Sequence, residues 1–419
     1  MTKRMAVVVM ACALAGLSSA AENLKLSGYF KNFSIMFSLP PADSQGNAAQ
    51  QPLLGISNSR LRLNLVYSPK EWISFQAAYD LSPRIQDPFF FQASPFAISL
   101  DPSGYRVTDL RTPLVPGKND PVGSFGLYQN LDRLSVTARL PIGDLIVGRQ
   151  PIAWGSGRVI NPTDVIAPFS FHELDKEERY GVDAVRLRIP LASLSELDLG
   201  YIFGKSFAFD QSAFFIKNKF YVLKTDLTVL LLGFRRDLMI GLDLARAVGG
   251  AGAWLEAACV FPGALRQDGS NEDNYFRLTA GIDTSLNSRT YGFIEYHFNS
   301  AGSARPDAYP ALFIKPAYVR GSVYLMGRHY ISAGANYQLS PLVPVTGLII
   351  LNASDGSFAL SVQAEYNVAE NIYLGGGAYL GIGKRPGTPL YSNPPQQAVL
   401  KSEFGSYPDF AFVSFRLYF

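Results

Sequence analysis

The sequence predicts an all-β fold, a transmembrane antiparallel β-barrel of about 18 strands, with 16 as the alternative count. Three observations predict it: the composition, an alternation of apolar and polar residues in short segments, and connections that are alternately short and long. Aromatic residues make up 13% of the 419 residues, and Gly and Pro number 37 and 27. Charged residues are only 17%, against about 25% in a soluble domain. A net charge of +3 is too small to indicate nucleic-acid binding.

The N-terminus predicts export. Residues 1–20 have the features of a signal peptide: Lys3 and Arg4 precede the apolar segment 5–17, and small residues follow at the cleavage position. We therefore expect residues 21–419 to form the barrel. A lipoprotein is the alternative, but Cys12 follows a poor lipobox. Without the signal peptide only Cys259 remains, which excludes an intrachain disulfide.

The alternation favours a barrel over a soluble β-sandwich, which is the other class open to an exported, aromatic-rich chain. No segment after the signal peptide reaches the roughly 18 consecutive apolar residues of a membrane-spanning helix. Between Phe358 and Tyr366, one face of the segment carries Phe, Leu, Val, Ala and Tyr, and the other Ala, Ser, Gln and Glu. An apolar face bounded by aromatic residues and backed by a polar face is typical of a strand between lipid and water.

The strands are predicted in order along the chain from this pattern. They lie near residues 24–38, 56–68, 71–80, 130–140, 143–151, 180–190, 195–204, 213–224, 226–235, 237–247, 252–261, 273–284, 288–299, 328–339, 344–353, 357–367, 371–382 and 407–419. The long connections include 81–129 and 152–179. Short periplasmic turns on one side and long extracellular loops on the other indicate the outer membrane of a Gram-negative bacterium.

Two short patterns carry a resemblance to known proteins. Phe415, Leu417 and Phe419 lie on one face of the last strand, which resembles the C-terminal signal of Gram-negative outer-membrane barrels. The series Gly148-Arg149-Gln150, Trp154-Gly155, Asn161-Pro162 and Asp164 is similar to one in porin-like outer-membrane families of broadly assigned or unknown transport role. The resemblance implies contact with outer-membrane lipid, with the barrel-assembly machinery during insertion, and with small hydrophilic solutes. A homotrimer is one option for the assembly.

The expected function follows from the size of the barrel. Barrels of 16 to 18 strands leave an aqueous channel, and the first strand begins too early for a plug domain to precede it. The sequence therefore predicts a porin for passive diffusion of small hydrophilic solutes, with anionic solutes as the finer hypothesis. The alternatives are substrate-specific transport or export, and partner binding by a barrel whose loops gate the lumen.

Charged residues predicted to face the lumen suggest selectivity. The basic set is Arg60, Arg62, Arg133, Arg139, Arg186, Arg188 and Arg416, and the acidic set is Asp198, Asp243, Glu256, Asp283, Glu295 and Glu365. We expect a basic wall that faces an acidic wall and favours anions. The alternative is that these residues pair across strands and select nothing.

The connection 152–179 is predicted to bend into the lumen as a constriction. Its candidate residues are Arg149, Trp154, Arg158, Asn161 and Asp164. Loops of this length are uncommon unless they are functional. For the acidic run 172–179, the alternative is a solvated extracellular loop held by its own ion pairs.

No enzymatic activity, cofactor or metal is predicted. The three histidines, His172, His297 and His329, are far apart, and no HExxH, GxSxG or P-loop pattern occurs. Glu295 and His297 are the one candidate catalytic pair, and we interpret them instead as mutual partners on a lumen strand.

Overall fold

The computed structural model describes residues 23–42, 53–87, 104–118, 120–266, 272–388, 390 and 399–419. The predicted signal peptide, residues 1–20, lies outside these ranges. Eighteen antiparallel strands form one sheet in which each strand pairs with its neighbours in sequence. The first strand also pairs with the last, which closes the sheet into a barrel. The predicted fold class and the count of 18 strands are confirmed, and the alternative of 16 is wrong.

The strands have the following bounds: β1 Leu24–Ser38, β2 Leu53–Lys70, β3 Ile73–Gln86, β4 Phe125–Leu140, β5 Gly143–Pro151, β6 Gly181–Ala192, β7 Ser195–Ile202, β8 Ala213–Val222, β9 Thr225–Phe234, β10 Asp237–Val248, β11 Ala251–Phe261, β12 Tyr275–Asn287, β13 Thr290–Asn299, β14 His329–Ser340, β15 Val343–Asn352, β16 Ser357–Ala369, β17 Ile372–Ile382 and β18 Asp409–Tyr418. Helical segments in the connections are the 3-10 turns Lys205–Phe207, Phe209–Gln211, Pro306–Ile314 and Phe404–Ser406, and the helix α1 Pro316–Val319. None of the helices in the described ranges has the length and hydropathy needed to cross a membrane.

Strands β3 and β4 extend further than the sequence predicts. β3 continues to Gln86 and β4 begins at Phe125, whereas the pattern predicts a loop over 81–129. Pro83 lies inside β3 and pairs with Leu127. Proline is a signal of a turn or a strand end, so the sequence pattern stops before the true end of the strand.

The two ends of the barrel differ in the length of their connections. At one end, two residues join consecutive strands at 71–72, 141–142, 193–194, 223–224, 249–250, 288–289, 341–342 and 370–371. Leu223 and Lys224 have φ angles of 51° and 61°, because a two-residue hairpin turn that matches the strand twist requires left-handed backbone. The opposite end carries the longer connections, as the alternation predicts, except that residues 235–236 alone join β9 to β10.

The barrel interior is partly filled by these longer connections. One buried apolar cluster lies where inward side chains of β6 to β12 meet Val165 and Ile166 from the connection between β5 and β6. A second cluster joins Ile160 and Phe171 of the same connection to Tyr330 on β14 and to Phe404. Residues 152–180, here called the inner loop, are therefore packed inside the barrel.

Candidate functional site

The inner loop turns into the lumen directly after β5. Trp154 packs edge-on against Phe215 of β8, with ring centroids 5.0 Å apart. Gly155 has a φ of +106°, and a Cβ atom there would lie 2.3 Å from Asn161 Oδ1. Only glycine tolerates this backbone and this close approach, so Trp154, Gly155 and Asn161 together shape the start of the loop.

Glu256 on β11 holds this first part of the loop from the barrel wall. Its Oε1 atom accepts hydrogen bonds from the backbone N–H and the hydroxyl of Thr163, at 2.8 and 2.7 Å. Its Oε2 atom accepts from the backbone N–H groups of Ser156 and Gly157, at 3.1 and 3.2 Å. A single buried carboxylate thus binds both ends of the segment 156–163.

Glu295 on β13 holds the middle of the same segment. It accepts the backbone N–H groups of Arg158, Val159 and Ile160 at 2.6, 3.1 and 3.1 Å. The indole N–H of Trp254 donates to it at 3.2 Å, and the residue is 1% exposed. Glu256 and Glu295 with their hydrogen bonds to residues 156–163 are called the first anchor.

Arg158 is the charged side chain that the first anchor presents to the lumen. Its guanidinium donates to Asp283 of β12 from Nη2 at 2.5 Å and from Nε at 3.1 Å. The guanidinium also lies over the ring of Trp254, 5.0 Å from its centre. The side chain is nevertheless 48% exposed, which leaves part of its charge in contact with water.

The acidic run of the inner loop reaches a different part of the wall. Lys31 on β1 is 1% exposed and donates to Asp175 at 2.9 Å and to Glu177. Arg60 on β2 pairs with Asp175 at 3.2 Å. Glu178 pairs with Arg62 and Arg133 at 3.5 and 3.2 Å. These contacts of residues 175–178 are called the second anchor.

Arg62 belongs to an ion-pair network beneath the second anchor. It pairs with Asp80 on β3 at 3.1 Å and with Asp132 on β4 at 2.8 Å. Arg133 pairs with the same Asp132 and donates to the carbonyl of Arg179 at 2.6 Å. The register shifts between Ala78 and Tyr79 opposite these residues, and Asp132 and its neighbour Arg133 are consequently both buried. Strict alternation along β4 does not predict that arrangement.

The other predicted lumen arginines are paired with close neighbours. Arg186 binds Asp198 through two hydrogen bonds of 2.9 and 2.7 Å, and Arg188 binds Glu196 at 2.6 Å. Arg416 pairs with Glu365, and Arg139 donates to the carbonyl of Glu71 at 3.0 Å at the short-turn end. The expectation of a basic wall facing an acidic wall is therefore wrong, because the acids of β7 and β16 lie beside the arginines. Their role as pore-lining residues stays a prediction.

Arg149 and Asp164, which were predicted to line the constriction, do not lie on the lumen surface. Arg149 lies in β5 and not in the loop; its guanidinium binds Asp183 at 2.7 Å and Asp109 at 3.0 Å. It ties the connection before β4 to the wall. Asp164 is buried and accepts from Arg179 at 2.6 Å. Burial raises the pKa of Asp164 to about 6, although Arg179 opposes the shift. Both residues stabilise the loop and its base.

The pair predicted between Glu295 and His297 is wrong. Glu295 is occupied by the first anchor, and the Nδ1 atom of His297 lies 2.9 Å from the hydroxyl of Thr279. His297 is buried and its ring lies near that of Tyr330. Within the ranges that the structure describes, His, Cys, Asp and Glu side chains form no group of three able to hold a metal ion.

Comparison with known proteins gives a likeness of fold. No family model and no curated protein matches the sequence. Among solved structures, OccAB1 of Acinetobacter baumannii has a TM-score of 0.50 and 9% identity, over 96% of this chain and 99% of that chain. The chain has a porin fold. A mutant of the porin of Rhodopseudomonas blastica is also similar, with a TM-score of 0.43 and 12% identity over 94% of this chain and 100% of that chain. The predicted resemblance to porin-like barrels is confirmed at the level of fold.

Several residues of the site were not predicted from sequence. Lys31 belongs to the second anchor, Asp132 to the ion-pair network beneath it, and Arg277 lies beside the inner loop. The sequence signal at Lys31 is weak, because Asn32 follows it and interrupts the alternation with apolar residues. No sequence signal shows that Glu256 and Glu295 accept backbone N–H groups, since any loop sequence supplies such donors.

Proposed function

We propose that this chain is an outer-membrane channel for passive diffusion of small hydrophilic solutes, and that the inner loop sets the width of its lumen. The observation that carries the proposal is the attachment of one loop to two separated parts of the wall. The first anchor lies on β11 and β13, and the second on β1, β2 and β4. A barrel of 18 strands is wide enough to leave an aqueous passage, so a loop across it narrows the passage.

The lower part of the lumen supports the passage of polar solutes. Toward the short turns, Arg188 on β6 and Asp226 on β9 keep 42% and 43% of their side chains exposed. Charged groups of both signs along a passage favour water and hydrophilic solutes over apolar ones. The finer proposal of a preference for anions depends on the exposed guanidinium of Arg158, which projects from the loop itself.

The location in the outer membrane is part of the proposal. Apolar side chains such as Leu65, Ile294 and Val413 are exposed on strands whose neighbouring residues face inward. Such a band suits lipid contact. The proposal also includes export by the signal peptide and recognition of Phe415, Leu417 and Phe419 by the assembly machinery. It further includes assembly as a homotrimer and the absence of enzymatic activity.

Conductance of the mature chain in a planar bilayer tests the channel. We expect discrete single-channel steps in potassium chloride, and a reversal potential displaced toward the chloride equilibrium potential under a salt gradient. A folded barrel that conducts no current would contradict the proposal and favour a gated lumen or a partner-binding barrel. A conducting barrel that prefers cations would contradict only the anion preference.

A further inference from the structure

A cationic cavity lies between the inner loop and the barrel wall. Its volume is about 170 Å³, and its charged lining consists of Arg158, Asp164, Lys176, Arg179 and Arg277. Arg277 projects from β12, while Tyr324 contributes from the connection between β13 and β14. Four cationic residues and one acidic residue therefore line this small space.

Two of these cations have no carboxylate partner. Arg158 pairs with Asp283 and Arg179 with Asp164. Lys176 donates to the carbonyl of Phe171 at 3.3 Å, and Arg277 donates to the carbonyl of Pro162. Across the ranges that the structure describes, neither Lys176 nor Arg277 has a carboxylate oxygen within 4.0 Å. Glu173 lies near Lys176 and lowers the excess of positive charge without forming an ion pair.

Of these two cations, Arg277 gives the stronger indication that an anion binds in the cavity. It is 3% exposed, and its Nε–H group has no hydrogen-bond acceptor among the described residues. Asp164, the nearby carboxylate, is paired with Arg179. A buried cation without an ion-pair partner of its own costs free energy, and an incoming anion reduces that cost. Lys176 is exposed, so the cavity has one buried and one water-accessible cation.

We propose that this cavity binds the carboxylate or phosphate group of a small solute, held between Lys176 and Arg277. The inference rests on the proposed channel function and names the solute class that the inner loop retains. A volume of about 170 Å³ corresponds to roughly six water molecules, which limits the bound part to one anionic group with a short organic body. Pro168, Phe169 and Tyr324 supply apolar contact for that body.

The test measures current through the full mature chain in potassium chloride, with sodium phosphate or sodium propionate added as the probe. We expect a saturable decrease of single-channel current, because an anion bound beside the inner loop adds to the constriction that this loop makes in the passage. Lys176→Gln is expected to weaken this block about tenfold. Lys219→Gln is the matched control, because Lys219 is also a half-exposed lysine but lies on β8 away from the cavity. It is expected to keep the wild-type block.

The outcomes separate the two proposals. A conducting wild-type channel that neither anion blocks, or equal block of both variants, overturns the anion site and leaves the channel function intact. A silent wild-type barrel overturns the channel function. In that case, calorimetric titration of phosphate into the detergent-solubilised full chain decides the site alone, with loss of binding in Lys176→Gln but not in Lys219→Gln as the supporting result. Arg277→Lys, which keeps the charge, serves as the second variant and is expected to retain weakened binding.

Discussion

Both anchors of the inner loop depend on carboxylates, but the carboxylates lie on the wall at the first anchor and on the loop at the second. At the first anchor, the wall supplies the carboxylates of Glu256 and Glu295, and the loop supplies backbone N–H groups. At the second anchor, the loop supplies the carboxylates, and the wall supplies Lys31 and three arginines. The first anchor fixes the backbone conformation of residues 156–163, whereas the second fixes the acidic side chains of residues 175–178.

This difference has consequences for stability. Hydrogen bonds from several backbone donors to one buried acceptor are directional, and leaving those donors unpaired is costly. Ion pairs with a partly exposed partner are weaker and are screened by salt. Glu177 at the second anchor is 43% exposed. We therefore expect the first anchor to be the permanent attachment of the loop and the second to open more readily.

The largest effect is expected from Glu295→Ala. The substitution leaves three backbone N–H groups and one indole N–H without their acceptor, at a cost of about 1 kcal/mol or more each. We expect the free energy of unfolding in detergent to fall by about 4 kcal/mol. Glu365→Ala, which removes a carboxylate that is 33% exposed and paired with Arg416, is the control and should cost less than about 1 kcal/mol. Equal losses in both variants would contradict the special role of the first anchor.

The next effect concerns Glu403, a buried carboxylate that, like Glu295, is bound by neutral donors. It accepts from Met326 N–H at 2.9 Å, from Asn352 at 2.7 Å and from the hydroxyl of Tyr330. Burial raises the pKa of Glu403 to about 7. Because the folded state favours the protonated form, stability is greatest at low pH and falls as the pH rises toward the folded pKa.

Hydrogen exchange at residues 402–407 measures this effect. We expect local protection, corrected for intrinsic exchange, to fall by about 2 kcal/mol from about pH 5.5 to about pH 8.5. Glu403→Gln should remove the pH dependence. Protection that rises with pH would show the opposite sign and contradict the assignment.

A smaller effect is expected from Lys31→Met, which removes one of the four cations of the second anchor. Asp175 and Glu177 lose their common cation, while the apolar stem of the side chain is kept. The expected loss of unfolding free energy is about 1 to 2 kcal/mol, because both acids regain contact with water. We also expect a larger single-channel conductance, since residues 175–177 are held less tightly once only Arg60 and the hydroxyl of Tyr418 still bind them. Lys25→Met, at an exposed position of the same strand, is the control, and an equal conductance in both variants would count against the second anchor.

The smallest effect is expected from salt. Raising potassium chloride from about 0.1 M to about 1 M shortens the screening length from about 10 Å to about 3 Å. Amide exchange at residues 175–178 should accelerate several-fold, whereas exchange at residues 158–160 should stay unchanged. The two segments serve as each other's control in one experiment. Equal acceleration would mean that both attachments are electrostatic.

Much of the fold was predictable because a strand between lipid and water must alternate. The strand count, the closure by the last strand and the short turns all follow from a period of two residues and from turn chemistry. The errors occur where alternation is interrupted, at Pro83 inside β3 and at the register shift beside Asp132. There the backbone pairing of a neighbouring strand outweighs the local pattern.

For the candidate site, the sequence predicted its position in the chain but not its contacts. The length of the connection after β5 and its Trp-Gly and Asn-Pro pairs indicate a shaped loop. Its partners were not predictable, because Lys31 and Asp175 are 144 residues apart and alternation assigns a face but not a partner. The sequence by itself determined the barrel and its strand number. Only the tertiary structure decided which charged side chains bind the inner loop. Closure of the barrel and the path of the loop bring residues that are distant in sequence within hydrogen-bond distance.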